Sequence, residues 1–304
     1  MQMQEPLVSI ICTTYNHGSF IRQCLDGFMM QKTNFTFEVL IHDDASTDNT
    51  AEIIREYEDK YPDIIKPIYQ TENQYQKGVK IGITYLYPRA KGKYIAECEG
   101  DDYWTDPLKL QKQVDFLENN PDYVMCSHNY SFLFMNEMKR VSYVETIGRD
   151  YSLESLTKGE WLYQPLTLMF RSQTLWESEI LRYTSIIIDN ILLYNLLKRG
   201  GGYCMPDDMG VYRVHSNGVW SGINQERKLM MEYKSILAIY EVEQSDMAAQ
   251  FLLTQFTKLS SRKSLIKQHR IILRALAILK KHYGLSFVVK LVFNKMFLNK
   301  NFKY

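Results

Sequence analysis

No run of about 18 uncharged apolar residues occurs in this 304-residue chain, which excludes an ordinary membrane-spanning helix. Cysteine is scarce and scattered. Cys12, Cys24, Cys98, Cys126 and Cys204 form no CxxC pair. That excludes a zinc ribbon or a disulfide framework and points to buried thiols in a reducing cytoplasm. No basic segment precedes the short apolar stretch Leu7–Cys12, so no secretory signal peptide is expected. Thr13–Ser19 holds only Gly18, which argues against the Gly-rich phosphate loop that a sugar-phosphate nucleotidyltransferase needs.

Acids are missing altogether from Thr257 to Tyr304, where 12 Lys and Arg occur. The preceding 256 residues carry 24 Lys and Arg against 35 acids. A net charge of +1 therefore divides into an acidic body and a basic tail, and the tail calls for an anionic partner. Lys263, Lys267, Arg270, Arg274 and Lys281 share one helical stripe; Leu265, Ile272, Leu276 and Leu279 share another. Leu285–Leu298 is apolar, with Lys290 and Lys295 as its only charges. A basic amphipathic helix followed by an apolar one reads as attachment to an anionic membrane surface. A positively charged helical layer packed on the acidic body accounts for the same pattern. No nucleic-acid-binding module accompanies the charge, so no nucleic-acid partner is expected.

What is present is 45% apolar and 13% aromatic, enough to bury a sizeable core. Leu7–Cys12, Phe37–His42, Ile64–Tyr69 and Tyr94–Cys98 read as strands. Between and after them, Phe20–Gln31, Thr50–Lys60, Lys77–Ala90 and a segment capped by Asp106 with Pro107 in its first turn read as helices. Strands joined by helices imply right-handed crossovers and a mostly parallel central sheet in an α/β fold. Tyr123–Val144 is strand-rich, and Leu166–Arg171 and Met209–Val214 read as further strands. Asp189–Arg199 reads as a helix, and helical periodicity dominates from Gln225 onward. The expectation is a catalytic α/β domain over residues 1–222 and a helical, basic extension over 223–304.

In such a sheet, ligands bind beyond the carboxyl ends of the strands. There the sequence places Thr13-Thr14-Tyr15-Asn16-His17, His42-Asp43-Asp44-Ala45-Ser46 and Glu99-Gly100-Asp101-Asp102. Carboxylates crowded together repel unless a cation joins them. A hard, oxygen-liganded ion such as Mg2+ or Mn2+, shared with phosphates, is the natural neutraliser.

Val8–Asn16, Asp43–Asp48, Gly92–Ile95 running into Glu99–Asp102, and Tyr212–His215 occur in this order. They resemble the motifs of family 2 glycosyltransferases with the GT-A fold, over roughly residues 6–222. The resemblance implies a metal-dependent, inverting transfer of a sugar from a nucleotide-sugar donor, UDP-linked by the family's habit, to a hydroxyl acceptor. Thr13 and Tyr15 then bound the nucleoside, Asp44 accepts a hydrogen bond from the base, and Asp43 supports the ribose side. Asp101 and Asp102 match the acidic motif that holds ribose and metal. His215 suits a third metal ligand or a diphosphate contact, and equally a structural histidine. Glu99 stands where relatives often carry Asp, and the Arg-Asn pair usual in the third helix is absent from Lys77–Arg89. Family members place a base aspartate at the start of a later helix; Asp189 fits, with Asn190 where relatives carry Trp, although an N-cap acid fits there too. With the basic tail, this implies a glycan acceptor, lipid-linked or part of a surface polysaccharide, at the inner membrane face. The rival from another class is a catalytically silent nucleotide-sugar-binding or scaffold protein, against which the intact acids at three strand ends argue.

Overall fold

The structure, a computed structural model, describes residues 5–134, 139–143, 148–176, 188–216, 218, 222–260 and 269–293. Lys263, Leu265, Lys267 and the last residues of the Leu285–Leu298 stretch lie outside these. Contacts divide the chain into two compact units.

The first unit comprises Met1–Tyr151, Leu162–Ser185 and Asn195–Ser221. Its opening half alternates β1 (Val8–Thr14), α1 (Ile21–Met29), β2 (Phe37–Asp43), α2 (Thr50–Lys60), β3 (Ile65–Tyr69) and β4 (Tyr94–Glu97). Then come β5 (Tyr103–Trp104), α3 (Lys109–Asn119), β6 (Tyr123–Phe134), β7 (Lys139–Tyr143) and β8 (Arg149–Tyr151). After α4 (Leu153–Thr157), which belongs to the second unit, follow β9 (Met169–Arg171), α5 (Ser172–Trp176), α6 (Ile188–Leu197) and β10 (Gly201–Val214). The sheet runs β3-β2-β1-β4-β9-β6-β10-β5, with β7 on β6 and β8 on β10. β3, β2, β1 and β4 pair in parallel. β9 is antiparallel to both β4 and β6, and β10 is parallel to β6. All six of these longer-range strands other than β9 therefore point one way, and the short strands oppose them. β1 and β2 are buried along nearly their whole length, as central parallel strands require. The helix α1 buries Ile21, Cys24, Leu25 and Phe28 in the same hydrophobic core.

Three sequence expectations are corrected. Lys77–Ala90 is not a continuous helix: it holds one wide turn at Gly82–Leu86 and a tight one at Tyr87–Arg89. Gly78 sits at φ +81, a left-handed conformation incompatible with a helix interior, and Pro88 cannot donate a helical hydrogen bond. Leu166–Arg171 opens as a turn at Pro165–Thr167, and the strand begins only at Met169. α3 starts two residues beyond Pro107, with Asp106 Oδ1 accepting the Leu108 amide at 2.8 Å.

The second unit comprises Ser152–Trp161, Ile186–Tyr194 and Gly222–Tyr304. It contains α4, the first turns of α6, α7 (Gln225–Glu243), α8 (Asp246–Ser260) and α9 (His269–Phe293). Asn224 caps α7 by accepting the Arg227 amide at 2.9 Å. Asn190 Nδ2 donates to Ser235 Oγ at 3.1 Å, and Thr254 Oγ1 to the Thr157 carbonyl at 2.7 Å. α9 breaks at Gly284 (φ 82, ψ 164). Among the described residues no helix is long and apolar enough to cross a membrane.

Candidate functional site

The loops leaving β1 and β2 are built as one piece. Asn16 and Ala45 both take left-handed backbone, at φ 54 and φ 63. Such strain in non-glycine residues persists only where surrounding bonds enforce it. Here they do: the Asn16 amide donates to Ser46 Oγ at 2.8 Å, and Asn16 Oδ1 accepts the Thr47 amide at 2.8 Å. Asp48 accepts the amides of Gly18 at 2.9 Å and of Thr50, the first residue of α2, at 3.0 Å.

Asp43 receives the Ser46 hydroxyl and amide, and burial pushes its carboxyl above the usual range. Asp44 is held differently. Its amide donates to the Thr14 carbonyl at 3.0 Å, and its carboxylate accepts the backbone amides of Gln74 at 2.7 Å and Tyr75 at 3.0 Å. Only 2% of Asp44 is exposed. Thr13 is half-buried, and Tyr15 beside it is exposed.

The acidic loop after β4 is pressed against β1. The Gly100 amide donates to the Thr13 carbonyl at 2.9 Å. A Cβ at Gly100 would fall 2.7 Å from Thr14 Oγ1 and 2.8 Å from Thr14 Cβ, so only glycine allows this approach. Asp101 Oδ2 faces His215 Nε2 at 3.1 Å and His17 Nε2 at 3.7 Å. Burial alone would raise the Asp101 carboxyl, but the hydrogen bond from His215 and the charges of both histidines hold it below the usual range. Burial in turn lowers His17.

Asp102 is the least exposed acid among the described residues, at 1%. Its Oδ1 accepts the Arg213 amide at 2.8 Å, while Oδ2 meets no hydrogen-bond partner among the described residues. Burial first, and then the neighbouring Asp101, push its carboxyl well up. An orphaned, buried carboxylate oxygen costs free energy that a cation would recover. One ligand oxygen each from Glu99, Asp101 and Asp102 lie within 4.8 Å of one another, so an all-oxygen donor set for a hard divalent ion is in place. His215 is outside that trio and adjoins it through Asp101.

Thr13, Tyr15, Asp43, Asp44, Asp101, Asp102 and His215 thus all lie in the first unit. Asp189 lies in the second, in the first turn of α6, where burial pushes its carboxyl up to about 6. Trp104 belongs to the core: it is buried, and its Nε1 donates to the Leu166 carbonyl at 2.8 Å. Arg213 was not singled out by sequence reasoning. Its buried guanidinium donates to the Asp101 carbonyl and to Gln23 Oε1, and stacks 4.3 Å over the Tyr103 ring. His17, two residues past Tyr15, carried no separate signal either.

The sequence profile of the family described as Glycosyl transferase family 2 matches residues 9–177. An uncharacterized protein of Mycobacterium bovis is 35% identical over 226 residues, 74% of this chain. The chain spans 64% of that relative's length. The Escherichia coli UDP-Glc:alpha-D-GlcNAc-diphosphoundecaprenol beta-1,3-glucosyltransferase WfaP is 35% identical over 124 residues, 41% of this chain and 46% of its own. The crystal structure of Staphylococcus aureus TarS residues 1–349 with UDP-GlcNAc superposes with a TM-score of 0.66. It is 18% identical and covers 90% of this chain and 80% of its own, a likeness of fold.

Proposed function

This chain belongs to glycosyltransferase family 2, and from that premise we propose that it performs a divalent-cation-dependent, inverting transfer of a hexosyl group. The donor is a UDP-sugar, and the acceptor is a hydroxyl of a lipid-linked or surface-polysaccharide glycan. The observation that carries this reading is the orphaned Asp102 oxygen beside Glu99 and Asp101. Asp102 and Asp101 would hold Mg2+ or Mn2+, with His215 as a further ligand or a diphosphate contact. When bound, that ion supplies charge neutralisation to the departing nucleoside diphosphate. Thr13 and Tyr15 bound the nucleoside, and Asp43 and Asp101 serve the ribose side. Asp189 acts as general base toward the acceptor hydroxyl.

UDP is the family's habitual carrier, and Asp44 would accept the imide N–H of its base: each Asp44 oxygen takes one backbone amide and keeps a lone pair. Calorimetric titration with UDP, GDP and CDP in the presence of Mn2+ should rank UDP tighter by about tenfold or more. Equal affinity for GDP would overturn the base assignment, and failure to bind any nucleoside diphosphate would overturn the donor class. Release of UDP from UDP-sugars in the same assay separates an enzyme from a silent binding protein.

The acceptor assignment draws on the likeness to the lipid-linked glucosyltransferase and on the basic tail. Residues 257–304 carry 12 basic side chains and no acid. On α9, Leu273 and Leu285 are 62% and 58% exposed. Arg274 is engaged with Glu241 inside the second unit, so the remaining cations carry the attraction. Each basic residue near an anionic leaflet contributes about 1 kcal/mol. Full-length protein is expected to co-sediment with phosphatidylglycerol vesicles, less so at raised salt, and truncation after residue 256 to abolish it. An intact chain that ignores such vesicles would leave the tail a structural layer and remove the peripheral, cytoplasmic-face assignment.

A further inference from the structure

We infer that Tyr75 is the second aromatic wall of the base pocket, opposite Tyr15, and that the Asp44 carboxylate holds it there. The strand order β3-β2-β1 puts the end of β2 between the ends of its neighbours. Asp44 follows β2, Tyr15 follows β1, and the segment carrying Tyr75 follows β3. Asp44 is bonded to both flanks: its own amide reaches the Thr14 carbonyl at 3.0 Å, and its Oδ2 takes the Tyr75 amide at 3.0 Å. The two tyrosines thus leave the backbone on either side of one buried carboxylate.

The anchoring of residues 73–78 goes beyond what a loose connection needs. Asn73 Nδ2 donates to the Asp44 carbonyl at 3.3 Å, and Asn73 Oδ1 accepts the Gln76 amide at 2.8 Å. The Lys77 and Gly78 amides close back on Gln74 and Tyr75 at 3.1 and 2.9 Å. Tyr85, stacked on His42 with ring centroids 5.0 Å apart, donates its hydroxyl to Gln74 Oε1 at 3.4 Å. A segment so tied would ordinarily turn its aromatic ring inward. Tyr75 is instead 52% exposed and Tyr15 38%. Among the described residues of the first unit, the large apolar side chains left this open are Tyr15, Tyr75 and Leu108. Two of the three flank Asp44. Rings held on a fixed backbone with open faces are what a planar base stacks against.

The inference rests on the nucleotide-sugar reading above and adds a residue that decides affinity for the base. It is tested by calorimetry on the full chain, with UDP and with inorganic pyrophosphate, both in Mn2+. Stacking on one ring changes affinity about 5- to 150-fold. Tyr75→Ala is therefore expected to weaken UDP by that factor, to leave pyrophosphate unchanged, and to be rescued by Tyr75→Phe. If wild type binds UDP and Tyr75→Ala binds it within about twofold, the second wall is elsewhere and this inference alone falls. Equal loss of pyrophosphate in Tyr75→Ala would make Tyr75 structural and also overturn it. A wild-type chain that binds pyrophosphate but no nucleoside diphosphate would overturn both readings together.

Discussion

Asp102→Asn is expected to lower sugar transfer about 100- to 1,000-fold, the usual loss when one electrostatic stabiliser of a transition state is removed. Asn matches Asp in shape, and its Oδ1 can still accept the Arg213 amide that Asp102 accepts at 2.8 Å. What disappears is the negative charge on an oxygen buried without a partner. Fold and cation affinity are thereby separated. Without cation, Asp102 is an acid 1% exposed beside Asp101, and burying two like charges together is unfavourable. The Asn variant should consequently unfold no earlier than wild type in chelator. Adding Mn2+ should raise the melting temperature of wild type, because a ligand that binds only the folded state stabilises it. It should leave the variant nearly unmoved. Full transfer activity in Asp102→Asn, or wild-type activity that persists in chelator, would sink the cation assignment.

The parts of this site that were readable in the sequence share one property: they sit where a regular element ends. β2 was expected at Phe37–His42 and occupies Phe37–Asp43; α2 was expected at Thr50–Lys60 and occupies those residues. Apolar strands alternating with amphipathic helices leave few arrangements, and a parallel sheet then collects Thr13, Asp44 and Asp101 at one edge. Lys77–Ala90 reads as a helix in the sequence, but Gly78 and Pro88 set its backbone. The clamp on Asp44 is made by the main chain of Gln74 and Tyr75, and amide groups leave no trace in residue identity. His17 and His215 meet on Asp101 from opposite ends of the first unit's sequence. A convergence of that kind appears only once β10 is placed beside β6 and β5. Arg213 stood in a recognised motif, yet its work is to bond the backbone of Asp101 and Asp102, which no motif spells out.

Asp189→Asn is expected to cut acceptor glycosylation about 100- to 10,000-fold, the range that general-base removal spans, while UDP and Mn2+ affinities stay near wild type. The acid stands in the first turn of α6, where a helix dipole alone would hold a carboxyl low. Burial wins instead and raises it to about 6. A base of that pKa is charged and competent at neutral pH and protonated below about 6. Wild-type turnover at saturating substrate should thus fall on the acid side of pH 6, and that limb should vanish from the residual activity of the variant. Stability gives the complementary reading. A carboxyl whose folded value lies above its unfolded one loses stabilisation as pH rises through that interval. At neutral pH the charged, desolvated acid is therefore a cost to the fold, and Asp189→Asn should melt no lower than wild type. An acid serving only as a helix cap would behave the other way: its removal would cost about 1 kcal/mol of stability, with turnover and its pH profile unchanged. Transfer that survives in Asp189→Asn would place the base on another residue. Nucleotide affinity that collapses along with transfer would make Asp189 a donor-binding or structural acid.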